Sequence, residues 1–351
     1  MKYGLFKYST RNIGDEVQSL AAKRFLPKVD YYFERDEIDA TDIGAGERVK
    51  IIMNGWFTHK PENWPPTNNN IIPLLVSMHI DQQEGEDIKT IMRAFESTQS
   101  KEYLNKFGPV GARDLPTLRF LEQIGIESYF SGCMTLTLLP EKSIKRGEFV
   151  LAIDVSDDIY NAMKERTNRK IIRMNTNRDR CLSEEIKETI AKYWLCLLQS
   201  AYAVVTPRLH CMLPCLALST PVLAISGRDP KRYEGLIELT NHVTEKEFLK
   251  NKTCFDFENP SKNPSKYLKL KKNLEEKCSA FTEFDSKKSF LGDMNYADFI
   301  ESAEFKTMVT TLVEESLDCD VLRYKYNQSK NPGIKDTVKL FTKAAKRKFT
   351  H

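Results

Sequence analysis

The segment Ala203–Ile225, AVVTPRLHCMLPCLALSTPVLAI, reads as one complete βαβ unit. Ala203–Thr206 is a short β-branched run, and Pro207 ends it because proline lacks a ladder N–H and fixes the turn. Cys211–Leu218 is an apolar helix and Val222–Ile225 a second apolar strand. Strands buried on both faces and joined by a helix predict a parallel sheet. Between the first strand and the helix stand Arg208, Leu209 and His210. Arg208 and His210 alternate around Leu209 at a helix N-terminus, whose free N–H groups and dipole favour anions.

The same alternation extends in both directions. Upstream, Phe149–Val155 and Lys170–Met174 read as strands, and Ser183 is placed to cap a helix reaching Ser200, with Glu184 and Glu185 in its first turn. Nearer the start, Tyr3–Tyr8, Lys50–Asn54, Pro73–His79 and Pro109–Ala112 read as strands. Helices are predicted over Asp15–Phe25, Thr90–Glu96 and Pro116–Ile124, the last stopped by Gly125. Two successive α/β blocks predict two Rossmann-like domains facing one another, residues 1–145 and 146–250, followed by a loop and helical extension over 251–351. A length of 351 residues accommodates that organisation at roughly 150 residues per domain.

Composition narrows the function. With 41% apolar and 29% charged residues the chain is globular, and a net charge of +4 offers no concentrated basic face for nucleic acid. The eight cysteines are scattered without a CxxC pair, so neither a zinc ribbon nor a dithiol motif is expected, and no His/Cys/Asp cluster demands a metal. Cys211 and Cys215, four apart on the apolar helix, read as small core residues. Met1–Phe6 has no long apolar stretch, and the expected location is the cytoplasm. The segment 334–349 combines Lys335, Lys339, Lys343, Lys346, Arg347 and Lys348 with Val338, Phe341 and Phe349. It reads as a solvated helix packed on the body, or as a peripheral contact to the inner face of a membrane.

Three strand ends carry unusual polar sets, where ligands of open α/β sheets sit. The first, Thr10–Glu16, offers Asn12, Asp15 and Glu16 as acceptor contacts or base, with Gly14 permitting close approach. Asp15 also reads as the cap of the following helix. The second, Gly111–Asp114, aims Arg113 into the crevice, or else forms an Arg113–Asp114 surface pair of little consequence. The third is Arg208 with His210. Two arginine forks match carboxylates or phosphates, and a histidine can deliver a proton near neutral pH. Trp56 and Trp64 read as core, or as rings stacking on a sugar at the acceptor site.

The order Asn-x-Gly-Asp-Glu over 12–16, Ala-Arg-Asp over 112–114, Pro-Arg-Leu-His over 207–210 and Thr-Pro-Val-Leu-Ala-Ile over 220–225 resembles the polysaccharide pyruvyl transferase family. The resemblance spans Tyr3 to Ile225. It implies a GT-B-like arrangement of the two domains and transfer of pyruvyl from phosphoenolpyruvate, a co-substrate rather than a resident cofactor, to a sugar hydroxyl of a glycan. It also implies that Arg113 and Arg208 bind the donor and that His210 is the general acid. The chain departs from the family at Asn54–Phe57, where a Gly-rich turn is common, which leaves the acceptor open. A GT-B glycosyltransferase using a nucleotide sugar is the alternative, with Glu234 and Glu238 as the nearby carboxylates for a ribose. A glycan-binding protein without turnover is the third reading.

Overall fold

The computed structural model describes residues 1–82, 88–176, 182–227, 230–253 and 255–311. The basic segment 334–349 and Cys181, Cys254 and Cys319 lie outside the described residues. Contacts divide the chain after Tyr296.

Two all-parallel sheets organise Met1–Tyr296. The first contains β1 (Lys2–Lys7), β2 (Tyr31–Glu34), β3 (Val49–Trp56), β4 (Ile71–His79), β5 (Val110–Ala112) and β6 (Ser128–Phe130), in the order β2-β1-β3-β4-β5-β6. The second contains β7 (Val150–Ile153), β8 (Ile171–Met174), β9 (Ala203–Thr206), β10 (Val222–Ser226) and β11 (Asn241–Thr244), in the order β11-β10-β9-β7-β8. Within each sheet the first strand lies between the second and the third, the doubly wound pattern. It puts the reversal of strand order, and hence the ligand crevice, between β1 and β3 and between β7 and β9. The segments leaving those strands are Ser9–Asn12, Asn54–Phe57, Asp154 and Pro207–His210.

The helices of this unit are α1 (Ile13–Lys23), α2 (Ile88–Glu96), α3 (Thr98–Phe107), α4 (Leu115–Gln123), α5 (Asp157–Lys164), α6 (Glu184–Ser200), α7 (Leu209–Ala217), α8 (Pro230–Tyr233), α9 (Glu245–Leu249) and α10 (Tyr267–Thr282). Ser183 caps α6 as its sequence predicts, accepting from Ile186 N. Strands β2, β6 and β11 were not expected: they are three or four residues long and half-exposed, so little apolar periodicity marks them. The core of the first sheet gathers Phe33, Met53, Leu75 and Phe95 together with Trp64, whose indole stacks on Phe95 and donates to Ser100 Oγ at 2.8 Å. Trp64 is therefore core. The second core gathers Val150, Val205, Leu223 and Phe248. Cys211 and Cys215 are buried free thiols, as expected of small core residues. In the second unit, Phe299 and Phe305 meet edge to face with centroids 5.4 Å apart. Among the described residues no helix is long and apolar enough to cross a membrane.

Helix α1 corrects two readings. It begins at Ile13, not Asp15, and its cap is Asn12, whose extended backbone lets Oδ1 accept from Gly14 N at 3.1 Å. Asp15 sits inside the first turn instead. The helix is buried from Ile13 to Ala22 all round, because it lies on the first sheet and also meets α6 and α7.

A bulge in β4 positions the site. Met53 pairs with Leu75 and Gly55 with Met78, so two residues of β4 oppose Asn54 alone. Ser77 takes the slack in the left-handed region at φ 53°, and its N–H donates to Ser131 Oγ at 3.1 Å. The displaced strand delivers Met78 to Arg113, whose N–H donates to Met78 O at 2.7 Å, and turns His79 to the strand end. Replacing Ser77 by valine, which strongly resists this φ, is expected to lower stability by roughly 1–3 kcal/mol. Ser77→Gly should be neutral or better, and urea unfolding midpoints of the two variants decide it.

Candidate active site

The polar groups at the ends of β1, β3, β4 and β5 and of β7 and β9 converge from both sheets. Arg113 and Asp114 are fully buried, so of the two readings of this pair the surface pair is excluded. Asp114 is the N-cap of α4. Its Oδ1 accepts from Thr117 N at 3.1 Å and Thr117 Oγ1 at 2.7 Å, and its Oδ2 from His79 Nδ1 at 2.5 Å and Arg113 Nε at 3.2 Å. Burial opposes the charge, yet His79, Arg113 and Thr117 together hold the Asp114 carboxyl down at about 2. Burial and the Arg113 charge lower His79 to about 4 despite the carboxylate beside it. At neutral pH the pair is thus a carboxylate accepting from a neutral imidazole, with Arg113 as the countercharge.

His210 lies at the start of α7 with φ −82° and ψ 19°, outside helical geometry. Gly14 packs directly against it: a Cβ at position 14 would stand 2.7 Å from His210 Cβ and 2.8 Å from Cγ. That close approach, across the two sheets, is what glycine permits here. Burial, then Arg113, Arg232 and His79, push His210 well below its ordinary value, so it is neutral near pH 7. His210 Nε2, His79 Nε2 and Arg113 Nη2 are buried without a hydrogen-bond partner. Such groups are costly unless something satisfies them, which makes this locus the candidate site.

Arg208, the N-terminal flanking residue of α7, faces differently. Its Nε donates to Asp154 Oδ2 at 2.7 Å, and its side chain is 43% exposed. No hydrogen bond or ion pair joins it to Arg113 or His210 among the described residues. Asp154 Oδ2 also accepts from Thr176 Oγ1 at 2.7 Å, and Thr176 O accepts from Ile13 N at 3.2 Å. Arg208 thereby reaches one flank of the Asn12–Gly14 turn while His210 occupies the other.

The sequence-predicted acceptor residues divide. Asn12 spends its Oδ1 on the helix cap. Asp15 is buried, bonded to Thr10 and, at 3.4 Å, to Gln18, with Arg35 Nη1 at 3.8 Å. Glu16 is buried next to it. Trp56 belongs to the site: it stacks on His59 at 5.2 Å, meets the His79 ring edge-on at 5.3 Å, and carries the Arg232 guanidinium 4.5 Å over its face. His79, Arg232, and a polar group of Arg35, Gln18 and Asn54 behind Gly55 were not singled out from sequence. Arg35 Nε, Gln18 Oε1 and Asn54 Nδ2 are buried and unbonded. His79 and Asn54 had an available signal, each as the last residue of an expected strand.

The Glu234 carboxylate is forked by Arg119 at 2.7 and 2.6 Å, and Glu238 accepts from Gly235 N at 2.9 Å. Leu115 N donates to Glu234 O at 3.1 Å, which fastens the segment carrying Arg232 to the start of α4. Among the described residues no group of three or more His, Cys, Asp or Glu is placed to hold a metal.

Two parallel doubly wound sheets, with buried arginine and histidine groups at their strand ends, define the class of the molecule as α/β. Residues 12–229, more than half of the sequence, match the family described as polysaccharide pyruvyl transferase. The chain belongs to that family and is accordingly a transferase, acting in pyruvyl transfer to polysaccharide. No curated protein sequence matches it. Among solved structures it is similar to a functionally uncharacterized protein from Klebsiella pneumoniae, with 14% identity and a TM-score of 0.38 over 66% of this chain and 85% of that one.

Alanine ordinarily stabilises a helix relative to glycine by up to about 1 kcal/mol. At position 14 the sign should reverse. Gly14→Ala is expected to cost roughly 1–3 kcal/mol through overpacking on His210 and to shift the His210 ring resonances. A raised melting temperature would show that the two residues do not press together.

Proposed function

We propose that this protein transfers the pyruvyl group of phosphoenolpyruvate to a sugar hydroxyl of a glycan or glycan precursor. The donor lies in a GT-B-like cleft between an acceptor-side domain, residues 1–145, and a donor-side domain, residues 146–250. The observation that carries the reading is the unsatisfied His210 Nε2 together with the unsatisfied Nη2 of Arg113, whose charge acts on that imidazole. Phosphoenolpyruvate bears a phosphate and a carboxylate on neighbouring atoms. Arg113 takes one, and Arg208, whose Nε is held by Asp154, offers its two terminal amino groups to the other.

His210 protonates the methylene carbon, the C2 centre becomes oxocarbenium-like, and the sugar oxygen bonds to C2. Phosphate then leaves against the guanidinium groups. Such a general acid contributes a factor of about 10² to 10⁴. Asn12, Asp15, Glu16 and Trp56 are the residues of the acceptor side. No resident cofactor takes part. The donor's chemistry assigns the enzyme to the cytoplasm, at the inner membrane face where the acceptor is lipid-linked.

The nucleotide-sugar alternative gains no specific support, since Arg119 already occupies Glu234 and Gly235 N already occupies Glu238.

Phosphate release and a one-pyruvyl mass gain on a panel of glycosides test the reaction. His210→Ala is expected to lower turnover by at least about 10² while keeping donor binding. Full activity of that variant removes His210 as the acid.

The depressed pKa of His210 adds a second test. An anion bound beside the imidazole raises its pKa, so donor binding takes up a proton, and affinity weakens as pH rises from the lowered value of free His210 to the raised value of the complex, by at most about tenfold per pH unit for one proton. Calorimetry in buffers of different ionisation enthalpy measures this directly, and net proton release on binding contradicts it.

A further inference from the structure

We propose that His79, held by Asp114, is the base that takes the proton from the attacking sugar hydroxyl. The assignment rests on the pyruvyl-transfer reading above. Asp114 has both oxygens occupied by donors and remains a carboxylate, so it can only accept. His79 Nδ1 must therefore carry the proton of the 2.5 Å bond. This fixes the tautomer and leaves a lone pair on Nε2, which is buried without a partner.

The groups facing the imidazole are known from each side. They are Asp114 and Arg113 at the end of β5, the Trp56 edge on β3, His210 on α7 and Arg232 on α8. None but Asp114 is anionic. The carboxylate stabilises the imidazolium that forms, as a carboxylate behind a catalytic histidine does elsewhere. Of the two carboxylates on the Thr10–Glu16 segment, Asp15 is already engaged by Thr10, Gln18 and Arg35, and Glu16 is buried in the first turn of α1.

The protons balance through two imidazoles. In the first addition His210 gives its proton to the methylene carbon, which becomes the methyl group, and the hydroxyl proton passes to His79 Nε2 as the C2–O bond forms. The His79 imidazolium then protonates the departing phosphate as the C2–O(phosphate) bond breaks. Where a second hydroxyl closes a ketal, its proton restores His210. With that second hydroxyl both histidines return to their starting states, and one inorganic phosphate is released per pyruvyl transferred.

Three measurements on the full chain test this. In nitrogen-15 NMR at pH 7.5, His79, assigned by its loss in His79→Gln, is expected to be neutral with the proton on Nδ1. A protonated Nε2 overturns the proposal. In steady-state assays with phosphoenolpyruvate and a glycoside acceptor, His79→Gln is expected to lose at least about 100-fold in kcat. Its dissociation constant for phosphoenolpyruvate should remain near wild type. A variant that keeps more than a tenth of kcat overturns the base assignment alone. The acidic limb of kcat/KM, where protonation of His79 stops proton acceptance, should disappear in His79→Gln, and added imidazole should restore turnover to His79→Ala. Persistence of that limb or absence of rescue counts against the base. If the wild-type protein fails to bind phosphoenolpyruvate, the donor reading itself falls, a result distinct from an active His79→Gln.

Discussion

A single buried carboxylate organises the candidate site. Asp114 starts α4, fixes the orientation of His79 and holds the guanidinium of Arg113 from one side. An ion of this kind is tolerated in the interior only because each of its lone pairs meets a donor, and removing one partner of a buried pair typically costs about 3–5 kcal/mol. The arrangement is thus rigid for an electrostatic reason. Arg113 cannot swing to solvent without stranding Asp114, and His79 cannot flip its ring without losing the bond at Nδ1. The same constraint leaves one face of each side chain, Nη2 and Nε2, without a partner inside the protein.

The second requirement is that His210 meet this group, and α1 provides it. The helix leaves the first sheet yet is fastened to elements of the second half. Ile13 N reaches Thr176 O, Gly14 abuts His210, Lys23 Nζ pairs with Glu188 at 2.8 Å, and Lys187 Nζ donates to Tyr8 O at 2.9 Å. These contacts explain why a helix that reads as amphipathic is buried on every side. They also tie the loop bearing Asn12 to both Arg208 and His210, so a movement of the second sheet relative to α1 would change all three together.

Much of this was legible in the sequence, and the reason is physical. Parallel strands buried on both faces are continuous apolar runs, so β3, β4, β9 and β10 declare themselves, and strand ends in such sheets are where polar residues need a reason to be. That logic singled out Arg113, Arg208 and His210; the structure buries Arg113 and His210 and leaves Arg208 half-exposed against Asp154. It left Asp114 undecided, because adjacency of Arg and Asp along the chain does not reveal that both turn inward. It passed over His79 because the bulge at Ser77 decides where that side chain points, and no residue pattern marks a serine at positive φ. Arg232 escaped for another reason: its place over Trp56 depends on Leu115 bonding to Glu234, a contact between segments more than a hundred positions apart.

The charge distribution constrains the chemistry further. Around the unsatisfied atoms stand Arg113 and Arg232, and Asp114 is in direct contact with Arg113 and His79. A surplus of positive charge is unfavourable for a cationic centre such as the oxocarbenium ion of the proposed reaction. It becomes favourable only while the donor's own carboxylate and phosphate remain bound, since they outweigh the guanidinium charges locally. The same anions are needed to bring His210 into its protonated form. In the proposed reaction, protonation of the methylene carbon would therefore be coupled to the presence of a complete donor. The lowered pKa of His210 would then keep the imidazole from donating before the donor binds.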